Sequence, residues 1–312
     1  MRPVGPILGG VKTGRGNTPE SAGSGLVIVD KPQGWTSHDV VGKTRRLAGT
    51  RKVGHAGTLD PMATGVLVVG VNKATRLLTY IVGATKTYEA TIRLGESTVT
   101  DDAEGEVLQA RIAAAVTEEM IAAEVLRLTG DIEQVPSSVS AIKVDGVRSY
   151  ARVRKGEDVA LAARPVTVSR FEVHAVRRVR AGKVLDVDVT VQCSSGTYIR
   201  ALARDLGEAL GVGGHLTALR RTQVGPYLIG QARTMEQLAE ELVMLPLDDA
   251  ARALFPNREL TAEETSELSF GRRIAPNPDG AVTAAFAPDG GLVALLKNKG
   301  EAAKPEIVFA TA

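Results

Sequence analysis

The sequence predicts an α+β fold, a mostly antiparallel mixed sheet flanked by helices, with a small β module at its C-terminal end. Three observations predict it. "KTYEATIRL" (86–94) and "KVLDVDVTVQ" (183–192) alternate apolar and polar residues with period two, the pattern of strands with one buried face. Helical repeats occur between strands without the regular strand–helix–strand alternation of a parallel sheet. Past about residue 256 the texture changes to short apolar runs around an Asp-Gly turn, "AVTAAFAPDGGLVALL".

Each element has a local reason. "GLVIVDKP" (25–32) is an apolar run stopped by Pro, a buried strand. Ser37 reads as the N-cap of "HDVVGKTRRLAG", with Val40, Val41, Thr44 and Leu47 on one face and Lys43, Arg45 and Arg46 elsewhere. "GVLVVGV" (65–71) reads as a buried strand and "KATRLLTYI" as a short helix. In 86–94 the inward set is Tyr88, Ala90, Ile92 and Leu94. Thr117, with Glu118 and Glu119, starts a helix expected to run to Gly130. In 183–192 Leu185, Val187, Val189 and Val191 point inward. "CSSG" then turns the chain into "TYIRALARDLGEALG", where Ile199, Leu202, Leu206 and Leu210 repeat at helical spacing. The acidic helical stretch 235–250 and "FPN" mark a boundary. The expected organisation is a tail over 1–24, a catalytic domain over 25–250 and a module over 257–312. No repeat of solenoid period is present.

The chain has 312 residues and a net charge of +2, with a single cysteine, Cys193. One cysteine excludes an internal disulfide framework and indicates a reducing compartment. No run is apolar long enough to cross a bilayer, and the Gly/Pro-rich start has no signal-peptide core, so the expectation is a disordered tail on a cytoplasmic protein. The small net charge hides segregation. Residues 25–85 carry eight Lys/Arg against three Asp/Glu, and 140–230 carry fifteen against eight. Residues 86–139 reverse this, four against eleven, as do 231–270, three against nine. Basic blocks of this kind suit a polyanion partner, although a solvated surface produces the same counts in many proteins.

"RKVGHAGTLDPMATGVLVVG" (51–70) is the first candidate site. Pro61 pushes Asp60 toward extended backbone, and Gly54, Gly57 and Gly65 permit a tight loop that is open to a ligand. An Asp-Pro pair is commonly a turn and nothing more. Here His55, Thr58, Arg51 and Lys52 stand beside it and a buried strand follows, an arrangement that suits a catalytic loop on a rigid element. The spacing of His55 and Asp60 suits no zinc motif, and four His and one Cys make a transition-metal site unexpected. Phosphate-loop and dinucleotide fingerprints are missing. Cys193 reads as a buried structural thiol. The second candidate is Tyr198 with Arg200 at a strand–helix corner; a plain corner with an interfacial Tyr is the ordinary alternative. "LRRTQVG" (219–225) adds Leu219 and two arginines. "QVPSSVSAIKVDGVRSYARVRKG" (134–156) is basic with Tyr150 inside it, as an RNA-clasping insertion over 134–160 would be.

"GHAGTLDPMATGVL", "KTYEA", "QVPSSVSAIKVDGVRSYARVRKG", "CSSGTYIRALARDLG" and "LRRTQVGPY", in this order over roughly 25–250, resemble the TruB-type tRNA pseudouridine synthases. The segment from 257 is similar to that family's PUA-type RNA-binding module. The resemblance implies the pseudouridine-synthase fold, conversion of uridine 55 in the tRNA T loop to pseudouridine, tRNA as partner, no cofactor and no metal. A monomer is expected from a large substrate clasped on one side. By the same resemblance Asp60 is the nucleophile, Tyr88 lies against the target base, and Tyr198 and Leu219 line the uracil pocket. Arg200 pairs with Asp60, His55 contacts RNA, and Lys31 supports the site. Where family members often have two prolines after Gln-Val, this chain has "VPSS". Two other readings stand beside this one: an RNA-folding factor without chemistry, and a glycosidase or phosphoryl enzyme, which would need a second carboxylate that 51–70 lacks.

Overall fold

The computed structural model describes residues 22–137, 143–144, 147–148 and 161–310. The expected tail lies almost wholly outside these residues, as does most of the 134–160 insertion, including Tyr150, Arg152, Arg154 and Lys155.

In chain order the strands are β1 (Gly25–Lys31), β2 (Val53–Ala56), β3 (Thr64–Val71), β4 (Lys86–Leu94), β5 (Glu96–Thr98), β6 (Val107–Ala110), β7 (Gly130–Gln134), β8 (Lys143–Val144) and β9 (Val147–Arg148). They continue with β10 (Arg164–Val179), β11 (Val184–Cys193), β12 (Gly214–Val224), β13 (Tyr227–Leu228), β14 (Leu245–Pro246), β15 (Asn257–Glu259), β16 (Thr283–Phe286), β17 (Leu292–Lys299) and β18 (Ala302–Val308). The helices are α1 (Ser37–Leu47), α2 (Leu78–Gly83), α3 (Glu118–Arg127), α4 (Ile199–Ala209), α5 (Met235–Glu240), α6 (Leu247–Leu254) and α7 (Ala262–Ser269).

The large sheet runs β14-β1-β3-β12-β4-β11-β10-β7, with β2 on β3 and β13 on β12. Its described pairs are antiparallel except β3 with β12, which meet in parallel through two register pairs, Arg220 with Thr64 and Arg221 with Gly65. The sheet is therefore two antiparallel halves joined along a short seam. Gly65 makes the seam close: its φ is +97°, and a Cβ there would lie 2.2 Å from the carbonyl oxygen of Arg221.

Burial follows the sequence pattern. Tyr88, Ala90, Ile92 and Leu94 of β4 and Leu185, Val187, Val189 and Val191 of β11 form one core with Leu202, Ala203 and Leu206 of α4. In the other half, Val27, Val29, Leu67 and Val69 pack against Val40 and Val41 of α1 and Leu238 of α5. The opposite face of β1 and β3, with Leu26, Ile28, Val66 and Val68, shares a cluster with Phe286, Leu292 and Leu295 of the C-terminal strands and Phe309 just after β18. The four-stranded sheet β15-β16-β17-β18 is thus continuous in its core with the first half.

Three local expectations are corrected. Thr36, not Ser37, caps α1: its hydroxyl accepts from the Asp39 amide while the Asp39 carboxylate accepts from the Thr36 amide, a reciprocal cap that frees Ser37 for another contact. The helix from Thr117 ends at Arg127, and Gly130, at φ +98°, opens β7 instead. Residues 72–77 form a 3₁₀ turn ahead of α2.

Candidate active site

The loop between β2 and β3 is pinned by its backbone. Ser37 Oγ contacts Leu59 twice, accepting from its amide at 2.9 Å and donating to its carbonyl at 3.1 Å. The Lys31 ammonium donates to the carbonyls of Pro61 (3.3 Å), Pro32 (2.9 Å) and Trp35 (2.6 Å), and the Gly34 amide donates to Pro61 at 2.8 Å. From across the seam, Arg221 donates to the carbonyls of Gly57 (3.0 Å) and Val66 (2.7 Å). Four contacts on Leu59 and Pro61 bracket Asp60, whose side chain stays 39% exposed. The buried member of the pair is the cation.

That cation is Arg200, in the first turn of α4, 6% exposed at its side chain. Its Nη2 lies 3.0 Å from Asp60 Oδ2, and its Nη1 donates to the Thr100 carbonyl at 2.8 Å and lies 3.6 Å from Asp102 Oδ2. Asp102 is buried and held by Thr100 Oγ1 at 2.5 Å and the Glu104 amide at 3.1 Å. One guanidinium thus joins two carboxylates from different loops, one open and one enclosed.

Tyr88 is buried beside this pair. Burial pushes its phenol above the usual tyrosine range, Arg221 opposes that shift by charge and a hydrogen bond, and the Asp60 charge adds to it. Lys31, fully buried, is lowered to about 8, chiefly by desolvation and against the opposing pull of Asp60. Burial also raises Glu104, with Asp102 and Asp60 contributing. Asp60 therefore stands within electrostatic reach of Lys31, Tyr88 and Glu104 as well as Arg200.

Leu219 pairs with Ala90 in the register that sets Arg221 opposite Tyr88, so both fall on the Tyr88 face of the sheet. Tyr198 is the N-cap residue of α4, two positions before Arg200. His55, in β2, packs its ring edge-on against His38 of α1 at 5.9 Å, with its Nδ1 buried and unpaired among the described residues; burial lowers its pKa, the charge of His38 adds to this and the Gly57 backbone opposes it. A cavity of about 530 Å³ opens where β3 and β12 part. Met62, Thr64, Leu219 and Arg220 line it, while Asp60 and Arg200 are joined directly outside it.

Sequence reasoning missed Asp102 and reached Arg221 only as one of the two arginines of "LRRTQVG", without a role. The paired acids in "TVTDDAEG" and the second Arg of "LRRT" were visible, but only the fold brings them to Arg200 and Tyr88.

Residues 45–199 match the model of the TruB family pseudouridylate synthase N-terminal domain. Residues 200–256 match the tRNA pseudouridylate synthase B C-terminal domain, and 255–310 match tRNA pseudouridine synthase II, C terminal. The tRNA pseudouridine synthase B of Arthrobacter sp. (strain FB24) is 75% identical, over 92% of this chain and 97% of that protein. The chain belongs to the TruB family of pseudouridine synthases. A further relative, from Thermobifida fusca (strain YX), is 59% identical over 92% of this chain and 98% of its own length. Among solved structures, a chain of a Cbf5-Nop10-Gar1 complex superposes with a TM-score of 0.70 at 28% identity, covering 92% of this TruB-family chain and 85% of that one. A chain of an H/ACA RNP bound to a substrate RNA containing 2′-deoxyuridine gives 0.68 at 27% identity, covering 92% and 85%. The pseudouridine-synthase fold predicted from the motifs is the fold observed.

Proposed function

We propose that this chain, a tRNA uridine isomerase of the TruB family, acts on the uridine at position 55 of the T loop with Asp60 as its nucleophile. One observation carries the reading: a half-open carboxylate paired at 3.0 Å with a buried guanidinium that a second carboxylate anchors. The relatives' names support tRNA as substrate.

The reaction exchanges the C1′–N1 bond of uridine for C1′–C5. C5 releases one proton and N1 takes one up, so the change balances without oxidant, reductant or cofactor. Asp60 adds either to the sugar carbon or to the base, and the covalent species divides one hard step into two. Arg200 orients the carboxylate and balances its charge. Tyr88 and Leu219 supply apolar walls against which a detached uracil can turn without escaping to water, and Tyr198 lines the same pocket. Extruding the base from a folded loop costs a few kcal/mol, offset by stacking and phosphate contacts. His55, half-buried beside His38, contacts RNA through the exposed part of its ring in this reading. A basic cavity of about 650 Å³ lined by Lys52, Lys73 and Arg76, together with Ser24, Asn72 and Thr75, suits phosphates elsewhere on the tRNA. The insertion over 134–160, the C-terminal module as an RNA-binding unit, and a monomer acting in the cytoplasm without cofactor belong to the same reading.

Incubation with an unmodified tRNA transcript followed by mapping of pseudouridine tests the position. Asp60→Asn is expected to abolish product while tRNA affinity stays close to wild type; a variant that still isomerises would remove Asp60 from the chemistry. An RNA-folding role without chemistry predicts no pseudouridine from the wild type.

A further inference from the structure

We infer that Gln134 is a positioning residue for the uridine site, acting through Tyr198 and the first turn of α4; this rests on the reading above. Gln134 is the last residue of β7 and is 1% exposed. Its backbone pairs with Arg164 of β10, so its side chain is free to cross to α4. There the amide forms two bonds with a single residue: Oε1 accepts from the Tyr198 amide at 2.8 Å and Nε2 donates to the Tyr198 carbonyl at 3.1 Å. The side chain imitates a strand neighbour and fixes the two peptide groups that flank the Tyr198 Cα.

The position of that residue matters. Tyr198 is the N-cap of α4 and its side chain does not cap the helix. Its carbonyl also receives the helix's first bond, from the Leu202 amide at 3.2 Å. Gln134 therefore satisfies the N-cap amide, which a Glu or Gln at the third helical position would serve in a reciprocal cap; here that position is Ala201. Arg200 follows two residues later, and its guanidinium must sit within hydrogen-bond distance of Asp60 and Thr100 and within ion-pair reach of Asp102 together. A rotation of the Tyr198 peptide would move both the Tyr198 ring and the Arg200 stem. Misplacement near 1 Å at a reacting site can cost about 100-fold in rate. Gln134 touches none of the reacting atoms.

Two variants test this in the full chain with tRNA. Gln134→Leu removes both bonds at similar volume. It is expected to lower the single-turnover rate at saturating tRNA by about 10- to 100-fold, to leave Kd within about threefold, and to speed hydrogen exchange of the Tyr198 amide. Gln134→Glu keeps the shape, and its carboxyl can donate to the Tyr198 carbonyl only when protonated. Its rate relative to wild type is therefore expected to recover as pH falls from 8 toward 5.5, which a merely structural loss would not do. A Gln134→Leu enzyme that turns over at the wild-type rate once bound would overturn the inference. So would a Gln134→Glu ratio that is flat with pH, and this second variant decides if the first does not fold. Faster exchange at Tyr198 in an enzyme whose wild type makes no pseudouridine would leave the contact standing and sink the functional reading instead.

Discussion

Arg200 holds two carboxylates of unequal exposure, Asp60 at 39% and Asp102 at 3%, so its loss has two separable effects. Arg200→Met is expected to remove isomerisation, because Asp60 loses its orienting partner. It is also expected to destabilise the fold by about 3 kcal/mol, because Asp102 is left charged and enclosed. Parallel measurement of turnover and denaturant midpoint checks both, and Asp102→Asn on that background is expected to restore part of the stability. Lys31 gives a pH prediction. Its folded-state value, about 8, lies below the ordinary 10.5, so the folded protein loses this proton first. From this group alone stability rises with pH between about 8 and 10.5, while the ammonium beside Asp60 disappears. Activity is expected to fall on the alkaline side near 8. Lys86 shares that value, through burial and the charge of Arg221. Arginine at position 31, charged throughout this range, is expected to abolish the alkaline limb, and Lys86→Arg to leave it in place.

At the scale of elements, β3 and β12 depend on Gly65. Alanine there would place a methyl inside the Arg221 backbone and require a left-handed φ that side chains resist. Gly65→Ala is expected to cost more than about 2 kcal/mol and to lower turnover together with stability, because Arg221 also holds Gly57 and Tyr88. Thermal melting and single-turnover assays read the two. The strands and α4 were legible because their signals are periodic and local: Tyr88, Val187 and Leu202 occupy the faces their spacing assigns. Asp60, Tyr88, Tyr198, Arg200 and Leu219 stood out because each lies in a compact motif. Asp102 was illegible, and so were the partners of Arg221 and Gln134, although these two lie inside "LRRTQVG" and "QVPSSV". Each sits in an ordinary local context, a turn, a basic strand or a strand end, and acquires its partner from a distant segment. Ser37 was misread because Thr36 competes for the same cap, and only the loop at Leu59 shows what the second hydroxyl binds.

Over the whole molecule, the four-stranded C-terminal sheet is not an appendage. Phe286, Leu292, Leu295 and Phe309 bury against Ile28, Val66 and Val68, and Lys73 and Arg76 donate to the carbonyls of Phe309 (2.9 Å) and Val308 (2.7 Å). At roughly 2 kcal/mol for each large apolar side chain buried, this contact is comparable to the stability of a typical domain. Ending the chain at residue 256 is expected to yield an aggregating or strongly destabilised protein rather than a weaker RNA binder; melting temperature and solubility of the truncated chain check this. The change of texture near 256, visible in the sequence, marks a new sheet but does not reveal that its core is shared. The two-pair seam has a consequence of its own. Asp60 rides on one half of the sheet, and Arg200 with Tyr88 on the other, so the Asp60–Arg200 pair also measures how the halves are tilted. A compound wedged into the fork between β3 and β12, against Leu219 and Arg220, would tilt one half of the sheet on the other and draw Asp60 away from Arg200.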